Sequence, residues 1–406
     1  MRARRTVYVL FHAHDVPFLD IEAMLRGVVQ STTTQRLNAI SILRGENVEI
    51  DRADIDAALA FPSTEWTDVD PAREAEVEAL ARKALVVVDG TADPALAALR
   101  QRDEQLSANQ WNLYAAAYHF LTRWRDVDLR RLGASPSAEL IEELPPVTAE
   151  AIEQFIELHG QPPEPFHELA APRDVTTLPV SDRDGGLYDA LARRKTTRGY
   201  DRDATVSLDD VSTVLRYVVG AHGWAPIVGS LYSIKRTSPS GGGLHPVEAY
   251  PLINGVEGVE PGLYHYRARD HALELVAPLA AADATELATQ LVCGQSYFGS
   301  AHVSVILTAR YYRSFWKYRK HQKAYSALLM DAAHLSQTLY LLAAELGLGS
   351  YVTVAINSAL IDDTLDLDPA SEGALAVCGF GKPSPQRSSF EPTFRPYRPR
   401  ETQPPA

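Results

Sequence analysis

The run RTSPSGGGLHPVEAY, Arg236 to Tyr250, places a cation, several hydroxyls, a proline and three consecutive glycines ahead of an apolar segment. Glycine lacks Cβ, so such a loop lets backbone N–H groups approach a flat or anionic ligand. Taken alone it is equally a flexible turn. A second run, ARRKTTRGYD from Ala192 to Asp201, gathers Arg193, Arg194, Lys195 and Arg198 around two threonines. Bidentate guanidinium, amine and hydroxyl contacts of that kind can hold a phosphate, and a solvated helix end has the same composition. The third run, RYYRSFWKYRKHQKAY from Arg310 to Tyr325, mixes cations with aromatic rings and sets Lys317 beside Tyr318. An amine and a phenol side by side in a desolvated site can remove a proton from carbon. The same residues also suit a cationic, aromatic binding surface for RNA or a partner.

Other chemistry is missing. The sequence has no GxSxG elbow, no GK[ST] phosphate loop, no HExxH and no GxGxxG opening a helix. Cys293 and Cys378 are far apart and without a CxxC, so they read as buried core residues rather than as a zinc ribbon or disulfide framework. Asp331 and His334 share a helix face and His12 and His14 flank one residue, yet both pairs read as satisfied core or surface groups. No metal site is expected.

These runs must be positioned by a sizeable fold. The chain has 406 residues, 46% hydrophobic and 22% charged, enough for two or three domains. No stretch approaches a membrane span, and the basic start MRARRTVYVLF breaks too early for a signal peptide, so a cytoplasmic protein is expected. The net charge is −13, and the excess lies in residues 1–180, with 29 acidic against 17 basic side chains. The remainder is nearly neutral, and nucleic-acid binding is not expected.

Residues 1–130 read as a winged-helix-like α/β region, with strands at TVYVLF, NAISIL and ALVVVDG and helices over 71–83 and 110–124. A peptide is its expected ligand. Residues 131–185 are proline-interrupted and read as a linker holding the helix AEAIEQFIEL. From there to 383 helices and strands alternate, and 384–406 form a proline- and arginine-bearing tail. The spacing of Leu328, Ala332, Leu335, Leu339, Leu342 and Leu346 predicts one long helix over 323–346, ended by Gly347 and Gly349. Its other faces are also apolar, which fits a large core or a subunit interface.

In this order the runs resemble the nitroreductase-like flavoproteins, and among them the SagB-type dehydrogenases, FMN-dependent azoline oxidases of thiazole- and oxazole-containing peptides. The resemblance spans about Leu187 to Pro383. RKTTRGYD is similar to the family's Arg-Arg-Ser-x-Arg opening, SPSGGGLHPVEAY to its Pro-Ser-Gly-Gly segment, PGLYHYRARDHALELV to the hairpin that follows, LLMDAAHLSQTLYLLAAELGLGS to its central helix and AVCGFGKP to its closing strand. Ser326 and Ala333 depart from the family pattern, which has Arg and Gly there.

The resemblance implies an α+β nitroreductase fold over 186–383, an antiparallel sheet flanked by helices, and a homodimer with FMN at the shared interface. It implies FMN contacts from Arg194, Lys195, Thr196 and Arg198, from Pro239, Ser240, Gly241 and Gly242, from Gly347, Gly349 and Ser350, and from Lys382. It makes Lys317 and Tyr318 the proton-handling pair while FMN takes the hydride. The implied reaction is azoline oxidation on a precursor peptide, in company with a cyclodehydratase complex. A peptide side-chain desaturase, a dehydroamino-acid reductase, a small-molecule nitroreductase and a flavin-free peptide-recruiting subunit are the alternatives.

Overall fold

The apolar stripe over 323–346 folds as a single helix, Ala324–Glu345, within a residue of the expected bounds at each end. Leu328, Leu335 and Leu339 are buried along it. Its C-terminus is a Schellman motif. Gly347 takes φ +67°, Leu348 N–H donates to the Ala343 carbonyl at 2.8 Å and Gly347 N–H to that of Ala344 at 3.4 Å. Substitution of Gly347 would force a side chain into the left-handed region.

The computed structural model describes residues 1–19, 31–129, 149–163, 165–166, 176, 178–179, 183–229 and 231–385. Most of the expected linker and nearly all of the expected tail lie outside them. The helix expected inside the linker is described, as Ala149–His159.

The strands run in chain order. β1 is Arg2–Arg5, β2 Val9–Leu19, β3 Ser31–Ser41, β4 Glu46–Ile50, β5 Thr67–Asp68 and β6 Val86–Asp89. β7 is Gly223–Val228, β8 Leu231–Lys235, β9 Val247–Ile253, β10 Gly262–Arg267 and β11 Ala272–Pro278. β12 is Val303–Arg310, β13 Gly349–Thr353 and β14 Glu372–Gly381. Six of them form an antiparallel sheet ordered β11-β10-β9-β12-β14-β13. The apolar runs of β12 and β14 are buried almost throughout, as strands covered on both faces must be. The long helix covers one face with Leu328, Leu335 and Leu339 against Val305 and Leu307, and helices Ala281–Leu291 and Ser358–Thr364 cover the other. This is the α+β arrangement expected from the resemblance, and β10-β11 is the expected hairpin.

Residues 1–129 build two further sheets, β5-β1-β6 and β2-β3-β4, with helices Arg52–Leu59, Glu74–Arg82, Pro94–Ala108 and Leu113–Leu121. Asp51 opens the first with a reciprocal capping box to Asp54. This region is not a separate bead. Trp111 is 1% exposed and packs on Tyr311 at 4.7 Å and Phe315 at 5.0 Å between ring centroids. Its indole N–H donates to the Ala370 carbonyl at 2.8 Å. Asn112 reaches the Lys320 carbonyl at 3.0 Å, and Arg123 pairs with the buried Asp362 at 2.7 Å. His119 sits in the same seam, 3.2 Å from the Tyr325 hydroxyl, and burial lowers its pKa to about 3, so it is neutral there.

Candidate functional site

The glycine loop is held by one carboxylate. Asp331, buried on the long helix, accepts from the Ser240 hydroxyl at 2.5 Å and from Gly241 N–H at 2.9 Å. Ser240 Oγ in turn accepts from His245 N–H at 2.9 Å. Ser238, one residue before Pro239, bonds Thr338 at 2.7 Å on the next turns of the same helix. Gly242 and Gly243 take φ +64° and +69°, conformations that glycine adopts without the cost a Cβ brings. Asp331 entered the sequence reading only as half of a possible metal pair. An acidic residue inside an apolar helical stripe was the available signal that it has a fixed partner.

Helix Tyr311–Tyr318 delivers the amine and phenol to this loop. Lys317 Nζ donates to the Gly242 carbonyl at 3.4 Å and lies 5.7 Å from the Tyr318 ring. A Cβ added to Gly242 would sit 2.6 Å from Tyr318 Oη and 2.7 Å from Lys317 Nζ. The helix stops at once, because Arg319 takes φ +50°, an unusual conformation for a side chain of that size. Lys317 is exposed and Tyr318 half-buried, so the single chain does not itself supply the desolvated setting expected for the pair.

The basic run follows helix Gly186–Arg193 and lies along β13. Thr196 bridges Ser350 in parallel register, Thr197 N–H donates to the Ser350 carbonyl at 2.8 Å, and Asp201 N–H donates to the Lys382 carbonyl at 3.0 Å. Gly349 pairs with Gly381 across β13-β14, so Ser350 and Lys382 meet the basic run at one sheet corner. Gly349 has no room for a Cβ, which would stand 2.5 Å from Thr197 Oγ1. The Arg194 guanidinium covers the Tyr340 ring at 5.6 Å, and Thr196 Oγ1 lies 3.1 Å from the Tyr340 hydroxyl. Thr197 Oγ1 is buried with no hydrogen-bond partner among the described residues. Tyr340 is a further organiser that no local sequence signal marks.

The expected residues thus gather in two places along one rod. Pro239, Ser240, Gly241, Gly242, Lys317 and Tyr318 stand by Asp331; Arg194, Lys195, Thr196, Arg198, Gly349, Ser350 and Lys382 stand beyond Tyr340, with Gly347 at the rod's end. Nine residues separate Asp331 from Tyr340, about 14 Å of helix rise. Arg194, Lys195, Thr196 and Arg198 bring guanidinium, amine and hydroxyl groups into one short run. Among the described residues no group of three potential metal ligands is found, and no helix is long and apolar enough to cross a membrane. Both cysteines are free and buried, as expected.

Comparison with known proteins bears on these motifs. The chain is 29% identical over 176 residues to the trifolitoxin-processing protein TfxB of Rhizobium leguminosarum bv. trifolii, covering 42% of this chain and 46% of that one. It is 29% identical over 154 residues to the microcin B17-processing protein McbC of Escherichia coli, covering 37% of this chain and 55% of that one. The chain therefore spans about half the length of these two relatives. Among solved structures, the E. coli microcin synthetase McbBCD complex with truncated pro-MccB17 bound is similar at TM-score 0.48 and 21% identity, over 69% of this chain and 94% of that one. Residues 191–382 match the nitroreductase family, the same stretch that carries the basic run, the glycine loop, the Lys-Tyr pair and the long helix.

Proposed function

We propose that this chain is an FMN-dependent dehydrogenase that oxidises azoline rings to azoles in a ribosomally made peptide. The observation that carries this reading is the meeting of Lys317, Tyr318 and Gly242, with Lys317 Nζ 3.4 Å from the Gly242 carbonyl. The names of two relatives, a trifolitoxin-processing and a microcin B17-processing protein, support a peptide as substrate.

The residues present fit FMN. The orphaned Thr197 hydroxyl and the cations of 194–198 suit its phosphate, and the glycine floor that a Cβ at Gly242 would fill suits a flat ring. When bound, FMN supplies the two-electron acceptor for the oxidation. The chain's own part is proton transfer and positioning. An azoline ring becomes an azole by losing two hydrogens with their two electrons. Lys317, with Tyr318 Oη beside it, takes the ring Cα proton. Asp331 fixes the loop that faces the pair.

Leu329 and Met330 stand exposed on the long helix, and Val354 beside β13 is 77% exposed. Their apolar surface supports a homodimer in which the second subunit closes the flavin site and removes water from Lys317. The same reading places the enzyme in the cytoplasm with a cyclodehydratase as partner, and gives residues 1–129 a peptide-binding role.

Two variants separate the parts. Arg194→Ala is expected to weaken FMN retention more than tenfold, read as flavin absorbance surviving gel filtration, because a charge-assisted hydrogen bond contributes about 1.5–3 kcal/mol. Unchanged occupancy contradicts the phosphate role. Gly242→Ala is expected to cost about 1–2 kcal/mol of stability from its left-handed backbone. Because the new methyl displaces Lys317 Nζ and Tyr318 Oη, kcat should fall about 100-fold. Full kcat in that variant removes the loop from the chemistry. Oxidation should also proceed without NADPH; a requirement for it assigns the site to a reductase.

A further inference from the structure

Two cavities outside the pair share Arg310 and Arg313. The larger, about 650 Å³, lies between the β7-β8 hairpin and the β10-β11 turn and is walled by Trp224 and Tyr232. The smaller, about 490 Å³, ends at Trp316 and Leu244. Trp316 precedes Lys317 in sequence, and Leu244 follows Gly242 by two residues.

The charges along these cavities do not cancel. The larger holds Arg236, Arg267, Arg269, Arg310 and Arg313 against Glu248 and Asp270. Glu248 pairs with Arg310 at 2.7 Å, and Asp270 pairs with Arg267. Among the described residues Arg236, Arg269 and Arg313 have no carboxylate at ion-pair distance. Arg269 rests over the Trp224 ring at 5.5 Å, and Arg313 Nε donates to the Leu244 carbonyl at 2.6 Å. Arg236 is 7% exposed; its Nη1 donates to the Val247 carbonyl at 3.0 Å, while its buried Nε has no partner. Burial holds the guanidinium pKa values of Arg236 and Arg313 below the usual range, and the neighbouring arginines add to this. Glu248 acts on both but already pairs with Arg310, so three guanidiniums share its one charge, which is a poor stability device. An anion arriving there relieves it.

We infer that the two cavities form one groove for an acidic stretch of the peptide substrate, with its carboxylates on Arg236, Arg269 and Arg313 and the chain leading to Lys317 and Tyr318. The inference rests on the peptide reading given above. The spread of charge selects the ligand. Cations gathered in six residues, as at 193–198, suit one phosphate. Here the guanidiniums come from the residue after β8, the β10-β11 turn and the helix carrying Lys317, along an open trough. An extended peptide presents carboxylates on one side every two residues, about 7 Å apart. Trp224, Tyr232, Tyr312 and Trp316 supply apolar wall between them.

The test uses the full chain with FMN and two fluorescein-labelled twelve-residue probes, one alternating Glu and Gly and one alternating Gln and Gly, read by anisotropy. The Glu probe is expected to bind about tenfold more tightly at low salt and to lose this advantage as salt rises. Arg269→Glu, at an exposed position, is expected to weaken the Glu probe about fivefold and leave the Gln probe unchanged. Arg313→Gln, accepted once thermal melting shows it folded, should act in the same direction. Equal affinity for the two probes, or a Glu probe indifferent to Arg269→Glu, overturns the inference. Displacement of the Glu probe by NADPH at comparable concentration also overturns it and assigns the groove to a nucleotide. Ring oxidation measured alongside separates the two claims. A protein that binds the Glu probe but oxidises no azoline keeps the groove and loses the reaction; the converse result loses the groove alone.

Discussion

Lys317→Ala and Tyr318→Phe are each expected to lower turnover on an azoline peptide by about 10²–10⁴-fold while FMN stays bound, the usual range for removing a positioned acid–base group. Both side chains reach the glycine loop. Lys317 is exposed and its recorded hydrogen bond is a 3.4 Å contact to the Gly242 carbonyl, so its loss should leave melting temperature nearly unchanged. Tyr318 is half-buried and packs against the core by its ring, which phenylalanine retains. A fall in activity with folding and flavin intact therefore reports chemistry. Full activity in both variants would remove the pair from the mechanism.

Trp111→Ala is expected to destabilise the protein by about 3–5 kcal/mol, read from the shift of its denaturant midpoint. The loss has three sources. A fully buried ring leaves a cavity, its contacts with Tyr311 and Phe315 vanish, and the Ala370 carbonyl loses one of its two donors, keeping only Asn109. Tyr311 begins the helix that ends in Lys317 and Tyr318, so the damage should reach activity as well as stability. Removal of residues 1–129 should likewise yield a domain that does not hold flavin. A deletion that keeps flavin and full stability would show the first region to be a tethered module and would favour a small-molecule nitroreductase.

How far the site was legible followed from how local its signals are. The long helix was read within a residue because its leucine stripe and terminal glycines are contained in one segment. The β10-β11 hairpin and the glycine loop were legible for the same reason. The resemblance singles out the basic run and the Lys-Tyr pair, although 119 residues separate Arg198 from Lys317. What escaped depends on distant partners. Trp111 reads as an ordinary aromatic until Ala370, 259 residues on, accepts its hydrogen bond. Asp331 reads as a satisfied core or surface group until the loop 90 residues upstream closes on it. The groove was invisible because Arg236, Arg269 and Arg313 lie on three elements and each alone is an unremarkable cation.

The central claim is tested most directly by mass spectrometry of an azoline-bearing peptide incubated with the FMN-loaded protein in air. The account predicts a loss of two hydrogens per ring, absent with Lys317→Ala. Unchanged peptide mass under conditions where flavin is bound and the Glu probe binds would contradict it.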